Sequence, residues 1–264
     1  GVSAVEAGQR RGRQERVRLL HRERRRIEVG RHPGQSLLHP LGVLRGDAPD
    51  EYKKPELFFA NTYPTKGLRN ALKLVALRVL GRPEQVGAVF RLDTQFGGGK
   101  THTLIGLAHA MNGLAGVPNA DEFLEPAFRP ATPIRIAAFD GENADPANGR
   151  RLSDSIRAFS PWGELAFALA GEPGYRLVEQ SDKEGIAPGA DTLRELLGTE
   201  PALILIDEIA PYLRKVAGRN AQRAGEQLLA FMTSLMKAVE SLPRVALVFT
   251  LAVGRDGKAT DAYS

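Results

Sequence analysis

A glycine run between an apolar segment and a helix-forming segment offers the clearest chemistry in this chain. It reads VFRLDTQFGGGKTHTL at positions 89–104. Backbone N–H groups without neighbouring Cβ atoms can turn toward a phosphate, and the N-terminus of a following helix favours negative charge. The pattern predicts a phosphate-binding loop with contacts from Gly97, Gly98, Gly99, Lys100, Thr101 and His102.

The side chains at the end of this loop have distinct predicted roles. Lys100 supplies a mobile ammonium for the outer phosphates, and the Thr101 hydroxyl can ligate Mg²⁺. His102 can approach a phosphate from the first turn of the helix, or it can pack against a neighbouring element. Thr94 stands where the usual pattern G-x-x-x-x-G-K-[ST] has its first glycine. Because that glycine chiefly eases the turn out of the strand, we expect the extra glycines to compensate; the alternative is a plain glycine turn with an incidental lysine.

A second segment, PALILIDEIAPYL at 201–213, places two acids directly after an apolar run. Open α/β sheets bind ligands at the carboxyl ends of their strands. There Asp207 can hold Mg²⁺ through water, and Glu208 can orient and deprotonate an attacking water. Thr250 ends a later apolar run. Its hydroxyl either contacts the terminal phosphate or the attacking water, or forms a hydrogen bond with nearby backbone. These segments predict a site that binds ATP and Mg²⁺, with Thr101 and Asp207 at the metal.

The predicted catalytic residues are Glu208, Lys100 and Thr250. The chain has no guanine-reading Asn-Lys-x-Asp segment, which favours adenine as the base. Other residues have two open interpretations. Asp140 and Glu142 follow a predicted strand and either support the site or lie in a solvated loop. The aromatic residues Phe58, Phe59 and Tyr63 either flank the adenine or dock their segment onto the sheet.

The elements that must position these residues alternate between strand and helix from Glu51 onward. This alternation predicts an α/β fold with a mainly parallel sheet, and continuous apolar strands are typical of a sheet that is covered on both faces. Strands are predicted over 86–92, 134–139, 202–206 and 245–250. Helices are predicted over 66–80, 100–112, 161–170, 191–197 and 221–242, with an irregular proline-punctuated stretch over 114–133.

Composition excludes several classes of protein. The chain has 264 residues, of which 42% are hydrophobic and 25% charged, as in an ordinary globular domain. It has no cysteine, so disulfide frameworks and thiolate metal sites are excluded. No apolar run approaches the roughly 20 residues that a membrane-spanning helix needs, and no signal segment follows Gly1. We therefore expect a cytoplasmic protein.

The net charge of +5 is concentrated at one end of the chain. Residues 1–50 contain 11 arginines against 6 acidic residues, whereas residues 51–264 contain 25 basic and 25 acidic residues. The division predicts an arginine-rich tail over 1–50, disordered or not native coding sequence, and a P-loop ATPase domain over 51–264. An arm that contacts nucleic-acid phosphates is the alternative for this tail.

Several motifs together resemble a known family. The segments FGGGKTHTL, SPWGELAFALAG at 160–171 and LILIDEIAPYL at 203–213 are similar to the bacterial ATP-binding family called "domain of unknown function 499", as are TYPTKGLRNAL at 62–72 and DGE at 140–142. The resemblance covers roughly 58–264. It implies a P-loop ATPase of the AAA+ type, a three-layer sandwich in which Gly99, Lys100, Thr101, Asp207 and Glu208 hold the Walker positions.

The resemblance also implies a biological setting. Genes of this family often lie beside those of DNA methyltransferases and helicases in anti-phage defence clusters, which makes these proteins candidate partners, and a homo-oligomer is expected. A complete AAA+ module would continue into a further strand, an arginine finger and a helical lid, so we expect this chain to be a fragment. Because an arginine finger is worth about 10³ to 10⁵ in rate, we expect the fragment alone to bind ATP with little turnover. The leading prediction is an ATPase that powers or switches a DNA-directed defence system; a non-hydrolysing nucleotide-dependent scaffold and a DNA-binding module led by the tail are the alternatives.

Overall fold

The central feature of the fold is a sheet of four parallel strands. The computed structural model describes residues 39–82, 84, 86–93, 99–216 and 221–251. In spatial order the strands are β1, β6, β5 and β2, and every neighbouring pair is parallel. This arrangement confirms the predicted α/β fold with a mainly parallel sheet. The strands are β1 (Val89–Leu92), β2 (Arg135–Asp140), β5 (Ala202–Asp207) and β6 (Val245–Thr250), and a small antiparallel hairpin joins β3 (Arg150–Arg151) to β4 (Arg157–Ala158).

Helices cover both faces of this sheet. On β5, Leu203 and Leu205 belong to one buried cluster, whereas Ile204 and Ile206 belong to another. Alternate side chains of a strand point to opposite faces, so each cluster is the core of one helical layer. The helices are α1 (Pro40–Arg45), α2 (Asp50–Lys53), α3 (Pro55–Ala60), α4 (Lys66–Val79), α5 (Lys100–Met111), α6 (Pro161–Glu184), α7 (Ala190–Leu197), α8 (Ile209–Val216) and α9 (Ala221–Glu240), with 3₁₀ turns at Ala120–Glu122 and Pro126–Phe128.

The register of the strands brings their polar ends to one edge of the sheet. Asp140 at the end of β2 pairs with Asp207 at the end of β5. On the other side of β5 lies β6, whose last residue, Thr250, pairs with Leu92 of β1. Since the strands are parallel, their carboxyl ends share this edge, which is where a ligand of an open α/β sheet binds.

The folded domain includes residues that the sequence analysis assigned to the tail. Leu41 and Val43 of α1 and the nearby Ala48 are buried in the cluster shared with α4 and α5. The His39 side chain accepts a hydrogen bond from Gly42 N at 3.0 Å and so caps α1. The boundary expected at residue 50 therefore lies too late in the chain. A helix of six residues gives almost no periodic signal, because its stability comes from packing.

Helix α6 is longer than the predicted helix over 161–170. Its first half ends where predicted, because Ala170 and Gly171 have non-helical backbone angles, with Gly171 at φ +63° and ψ −151°. A second half then runs to Glu184. The Asp182 carboxylate accepts a hydrogen bond from Ser160 N at 2.9 Å, although the two residues are 22 positions apart. A straight helix would separate them by about 33 Å, so the chain reverses at Gly171 and the two halves pack together.

Candidate functional site

Four of the predicted site residues meet in one hydrogen-bonded group at the carboxyl edge of the sheet. The Thr101 hydroxyl, in the first turn of α5, donates to Asp207 Oδ2 at 3.1 Å. The Thr250 hydroxyl donates to Asp207 Oδ1 at 2.6 Å and accepts from Glu208 N at 3.1 Å. Helix α5 and strand β6 thus each bring a hydroxyl to the Asp207 carboxylate at the end of β5.

The Asp207 carboxylate is almost completely buried, with 2% of its surface exposed. Burial raises its pKa above the ordinary aspartate value, and the nearby negative charge of Asp140 acts in the same direction. The two threonine hydroxyls and the charge of Lys100 lower the pKa. A carboxylate in this setting is held in one orientation and attracts a cation that can replace the lost hydration.

Lys100 lies at the same edge. Its ammonium donates to the carbonyl of Leu251, just beyond β6, at 2.5 Å. The residue begins α5, and Gly99 before it has φ +83°, a left-handed conformation that suits glycine. Lys100 and the first N–H groups of α5 therefore present positive charge beside the carboxylate group. Gly97, Gly98 and Thr94 lie outside the described residues, so their predicted roles stay predictions.

Glu208 combines an unusual backbone with a perturbed carboxyl group. Its φ is +53°, the one left-handed value among the non-glycine residues that the structure describes. This conformation costs about 1–2 kcal/mol for a residue with a Cβ atom and marks many functional sites. Burial raises the pKa of Glu208, and the negative charge of Asp207 raises it further. Both effects bring the carboxylate toward the basicity that a general base needs near neutral pH.

The structure shows which side chains and backbone groups Thr250 and His102 contact. Thr250 has no exposed surface, and its hydroxyl is engaged by Asp207 and Glu208. In this arrangement the hydroxyl positions the two acids, and its contact with a phosphate or a water stays a prediction. His102 Nε2 lies 2.9 Å from the Thr62 hydroxyl, and its ring packs on Phe58 at 4.5 Å between centroids. His102 thus docks α3 onto α5, as in the packing alternative, and its contact with a phosphate stays a prediction.

The aromatic residues Phe58, Phe59 and Tyr63, which lie before α4, differ in how exposed they are. Phe58 and Phe59 have 1% and 0% of their surface exposed and belong to the core. They dock their segment and cannot flank an adenine. Tyr63 is 42% exposed and stays available to a ligand.

Asp140 is the residue of the site that sequence reasoning underestimated. It is 2% exposed, and its Oδ1 accepts hydrogen bonds from Glu142 N at 3.0 Å and Asn143 N at 3.3 Å. Its Oδ2 accepts from the Asn143 side chain at 2.6 Å. Asp140 therefore holds the loop that follows β2 and is itself buried, whereas Glu142 is exposed, as in the solvated loop that was the default expectation. The available signal was an aspartate at the end of a strand. Aspartate side chains commonly bond the N–H groups two and three residues further along the chain.

With this geometry described, the family can be stated. The model of the DUF499 N-terminal domain matches residues 39–263. The chain belongs to the DUF499 family. The match begins at residue 39, the first residue of the described part of the chain, eleven residues before the predicted boundary of 50. Comparisons of this DUF499 chain with curated proteins and with solved structures found no match.

Two further observations on the described residues concern metal ions and membranes. Across the described residues, no group of three or more histidine, cysteine, aspartate or glutamate side chains is placed to hold a metal ion. Among the helices of the described part of the chain, none has both the length and the apolar character needed to cross a bilayer.

Proposed function

We propose that this chain binds ATP with Mg²⁺ at the carboxyl edge of the sheet and hydrolyses its terminal phosphoanhydride bond. The observation that carries the proposal is the group formed by Thr101, Asp207, Thr250 and Glu208 beside Lys100. A glycine-rich loop in the sequence leads into this group, and the strand order separates β1 from β5 by β6. A strand in that place, together with a second acid, favours the nucleotide hydrolases that carry an additional catalytic glutamate.

The donor set fits Mg²⁺ better than other metals. The Thr101 hydroxyl and the Asp207 carboxylate are hard oxygen donors that lie 3.1 Å apart. The described residues offer no all-protein metal cage at this edge. Mg²⁺ usually takes only one or two protein ligands and completes its shell with waters and substrate phosphates, so this sparse set is suitable. When bound, Mg²⁺ supplies positive charge that stabilises the developing charge on the phosphate oxygens.

Each residue of the site has its own role in the hydrolysis of ATP. Lys100 leaves the Leu251 carbonyl and binds the outer phosphates, while the N–H groups at the start of α5 face the same charge. Glu208 accepts a proton from the attacking water. The water oxygen forms a bond to the terminal phosphorus as the bond between that phosphorus and the ADP oxygen breaks, and the ADP oxygen keeps the electron pair. Thr250 holds Asp207 and the Glu208 backbone in place throughout.

The first test separates binding from hydrolysis. We expect calorimetry to show Mg²⁺-dependent ATP binding that Lys100→Ala abolishes, because the ammonium that neutralises the outer phosphates is lost. We expect Glu208→Gln to keep binding and to lower the rate of phosphate release by about 10²-fold or more, because the general base is lost. Lys183→Met, on the surface of α6 where Lys183 pairs with Glu179, is the matched control and should keep both properties.

Each outcome of this test has a clear meaning. Absence of ATP binding by folded wild-type protein would contradict the proposal. Binding with no hydrolysis in either wild type or Glu208→Gln would favour the non-hydrolysing scaffold. The oligomeric state, the methyltransferase and helicase partners and the role in anti-phage defence belong to the proposal through family resemblance alone.

A further inference from the structure

The peptide group that follows Glu208 packs against the loop after β2, here called the β2 loop (residues 141–144). Gly141 N donates to the carbonyl of Asp207 at 2.9 Å, so the pairing of β2 with β5 continues one residue beyond the strands. The next carbonyl, that of Glu208, then comes directly against Gly141 Cα. Because Glu208 has φ +53°, this carbonyl turns away from the direction that an ordinary strand would give it.

Glycine is the only residue type that fits at position 141. A Cβ atom at position 141 would overlap the carbonyl oxygen of Glu208, lie 2.8 Å from its carbonyl carbon and 3.0 Å from Tyr212 Cβ. Both of the closest atoms belong to backbone, so no side-chain rotation relieves the overlap. The contact therefore couples the glycine to the left-handed backbone of the glutamate.

The β2 loop itself is fixed from two sides. The Asp140 carboxylate accepts the N–H groups of Glu142 and Asn143. The Lys215 ammonium, from the last turn of α8, donates to three carbonyls of the loop: that of Ala144 at 2.9 Å, that of Gly141 at 3.4 Å and that of Glu142. Since α8 begins directly after Glu208, Lys215 closes a ring that runs from the glutamate through α8 and the β2 loop back to the glutamate.

We infer that Gly141 and Lys215 are positioning residues that hold Glu208 in its strained backbone conformation and so aim its carboxylate at the attacking water. Strained backbone persists only where the surrounding structure over-determines it. Here Thr250 holds the N–H of Glu208, Gly141 leaves room for its carbonyl, and Lys215 fixes the loop that forms the wall. The inference rests on the proposed function, because it assigns these residues to the general base of that reaction.

The experiment measures ATP hydrolysis and ATP binding by Gly141→Ala. We expect kcat to fall about 10²-fold, the loss typical of a misplaced catalytic group, while KM and the calorimetric Kd for ATP stay within about twofold of wild type. In a Glu208→Gln background, Gly141→Ala should cause no further fall in kcat. Gly189→Ala is the matched control, since a Cβ atom there meets nothing within 4 Å and the backbone has φ −74°; it should behave as wild type.

Lys215 gives a second test that avoids the risk of misfolding, because this side chain lies at the exposed end of α8. We expect Lys215→Met to lower kcat roughly tenfold with little change in KM, since water replaces the ammonium but does not fix the loop. Lys215→Arg keeps donors for the carbonyls and should recover most of the rate. A crystal structure of Gly141→Ala should show Glu208 outside the left-handed region.

The outcomes separate this inference from the proposed function. Wild-type kcat in both Gly141→Ala and Lys215→Met, with Glu208→Gln inactive, would overturn the positioning role and leave the ATPase proposal standing. An unchanged φ at Glu208 in the Gly141→Ala crystal structure would overturn it as well. Wild-type protein that neither binds nor hydrolyses ATP would overturn the proposed function, and the positioning of a general base with it.

Discussion

At the scale of single residues, the site is built around a carboxylate that the fold keeps charged at a cost. Asp207 is 2% exposed, and burial is the largest influence that raises its pKa. An acid whose pKa is higher in the folded state than in the unfolded chain binds its proton more tightly when folded. The contribution of Asp207 to the free energy of unfolding is therefore fully present below its unfolded-state pKa. It is lost as the pH rises through its folded-state pKa.

Replacement of this acid should stabilise the protein in a pH-dependent way. We expect Asp207→Asn to melt at a higher temperature than wild type at pH 8, with a difference that shrinks toward pH 4, because the amide removes the ionisation that folding opposes. The amide can still pair with both threonine hydroxyls, since a hydroxyl donates and accepts. Mg²⁺-dependent ATP hydrolysis should be lost at the same time. Thermal unfolding over this pH range, without nucleotide, measures the effect.

The control for this prediction is Asp154→Asn, because the Asp154 side chain is exposed and pairs only with Arg151 on the surface. Its melting temperature should follow that of wild type at every pH. Parallel pH curves for Asp207→Asn and wild type would show that the Asp207 carboxylate carries no ionisation penalty.

At the scale of elements, one buried arginine ties the two helical layers to the sheet. Arg78 is in the last turn of α4 and is 4% exposed. Its guanidinium donates to the carbonyls of Leu242 at 2.7 Å, Val245 at 3.0 Å and Val239 at 3.1 Å. These carbonyls end α9 and begin β6, so Arg78 satisfies groups that a helix terminus leaves unpaired. The same contact sets where β6, and thus Thr250, lies along the sheet.

Loss of this arginine should be strongly destabilising. We expect Arg78→Met to lower the free energy of unfolding by more than about 2 kcal/mol, because it removes several hydrogen bonds that a buried charged donor makes to carbonyls. Urea denaturation monitored by circular dichroism measures this change. Arg69→Met, on the exposed face of the same helix, should stay within about 0.5 kcal/mol of wild type. Equal midpoints for the two variants would mean that water satisfies the carbonyls.

The elements also show how far sequence reasoning reaches. Apolar runs predicted all four strands of the sheet, and the Thr65 cap and Gly198 predicted helix ends, because these signals are local. The short helices α1 to α3 and α8 were missed, since packing rather than periodicity forms them. For the site, residue types predicted that Thr101, Asp207 and Thr250 lie at one edge of the sheet, but not that the two hydroxyls bond the Asp207 carboxylate. The left-handed backbone of Glu208 was beyond prediction, because it depends on Gly141, a residue 67 positions away in the chain.

At the scale of the whole molecule, the segment before α2 completes both the core and the edge that carries the site. Leu41, Val43 and Ala48 add buried surface to the layer of α4 and α5. His39 Nδ1, which accepts from Gly42 N, also lies 3.2 Å from Asp140 Oδ2. Burial lowers the pKa of His39, and the negative charge of Asp140 acts in the opposite direction. The segment therefore covers the residue that holds the β2 loop.

Two truncations test where the folded unit begins. A chain that starts at residue 39 keeps every contact described above, whereas one that starts at residue 51 loses the buried side chains of α1. Because loss of a single buried leucine side chain costs about 2–5 kcal/mol, we expect the shorter chain to lose at least that much unfolding free energy relative to the longer one. It should also lose ATP hydrolysis, since Asp140 and the β2 loop become exposed. Urea denaturation and phosphate release are measured side by side. Equal stability and equal rates would place the start of the domain at the composition change near residue 50, and unequal ones would show that residues 39–50 belong to the domain.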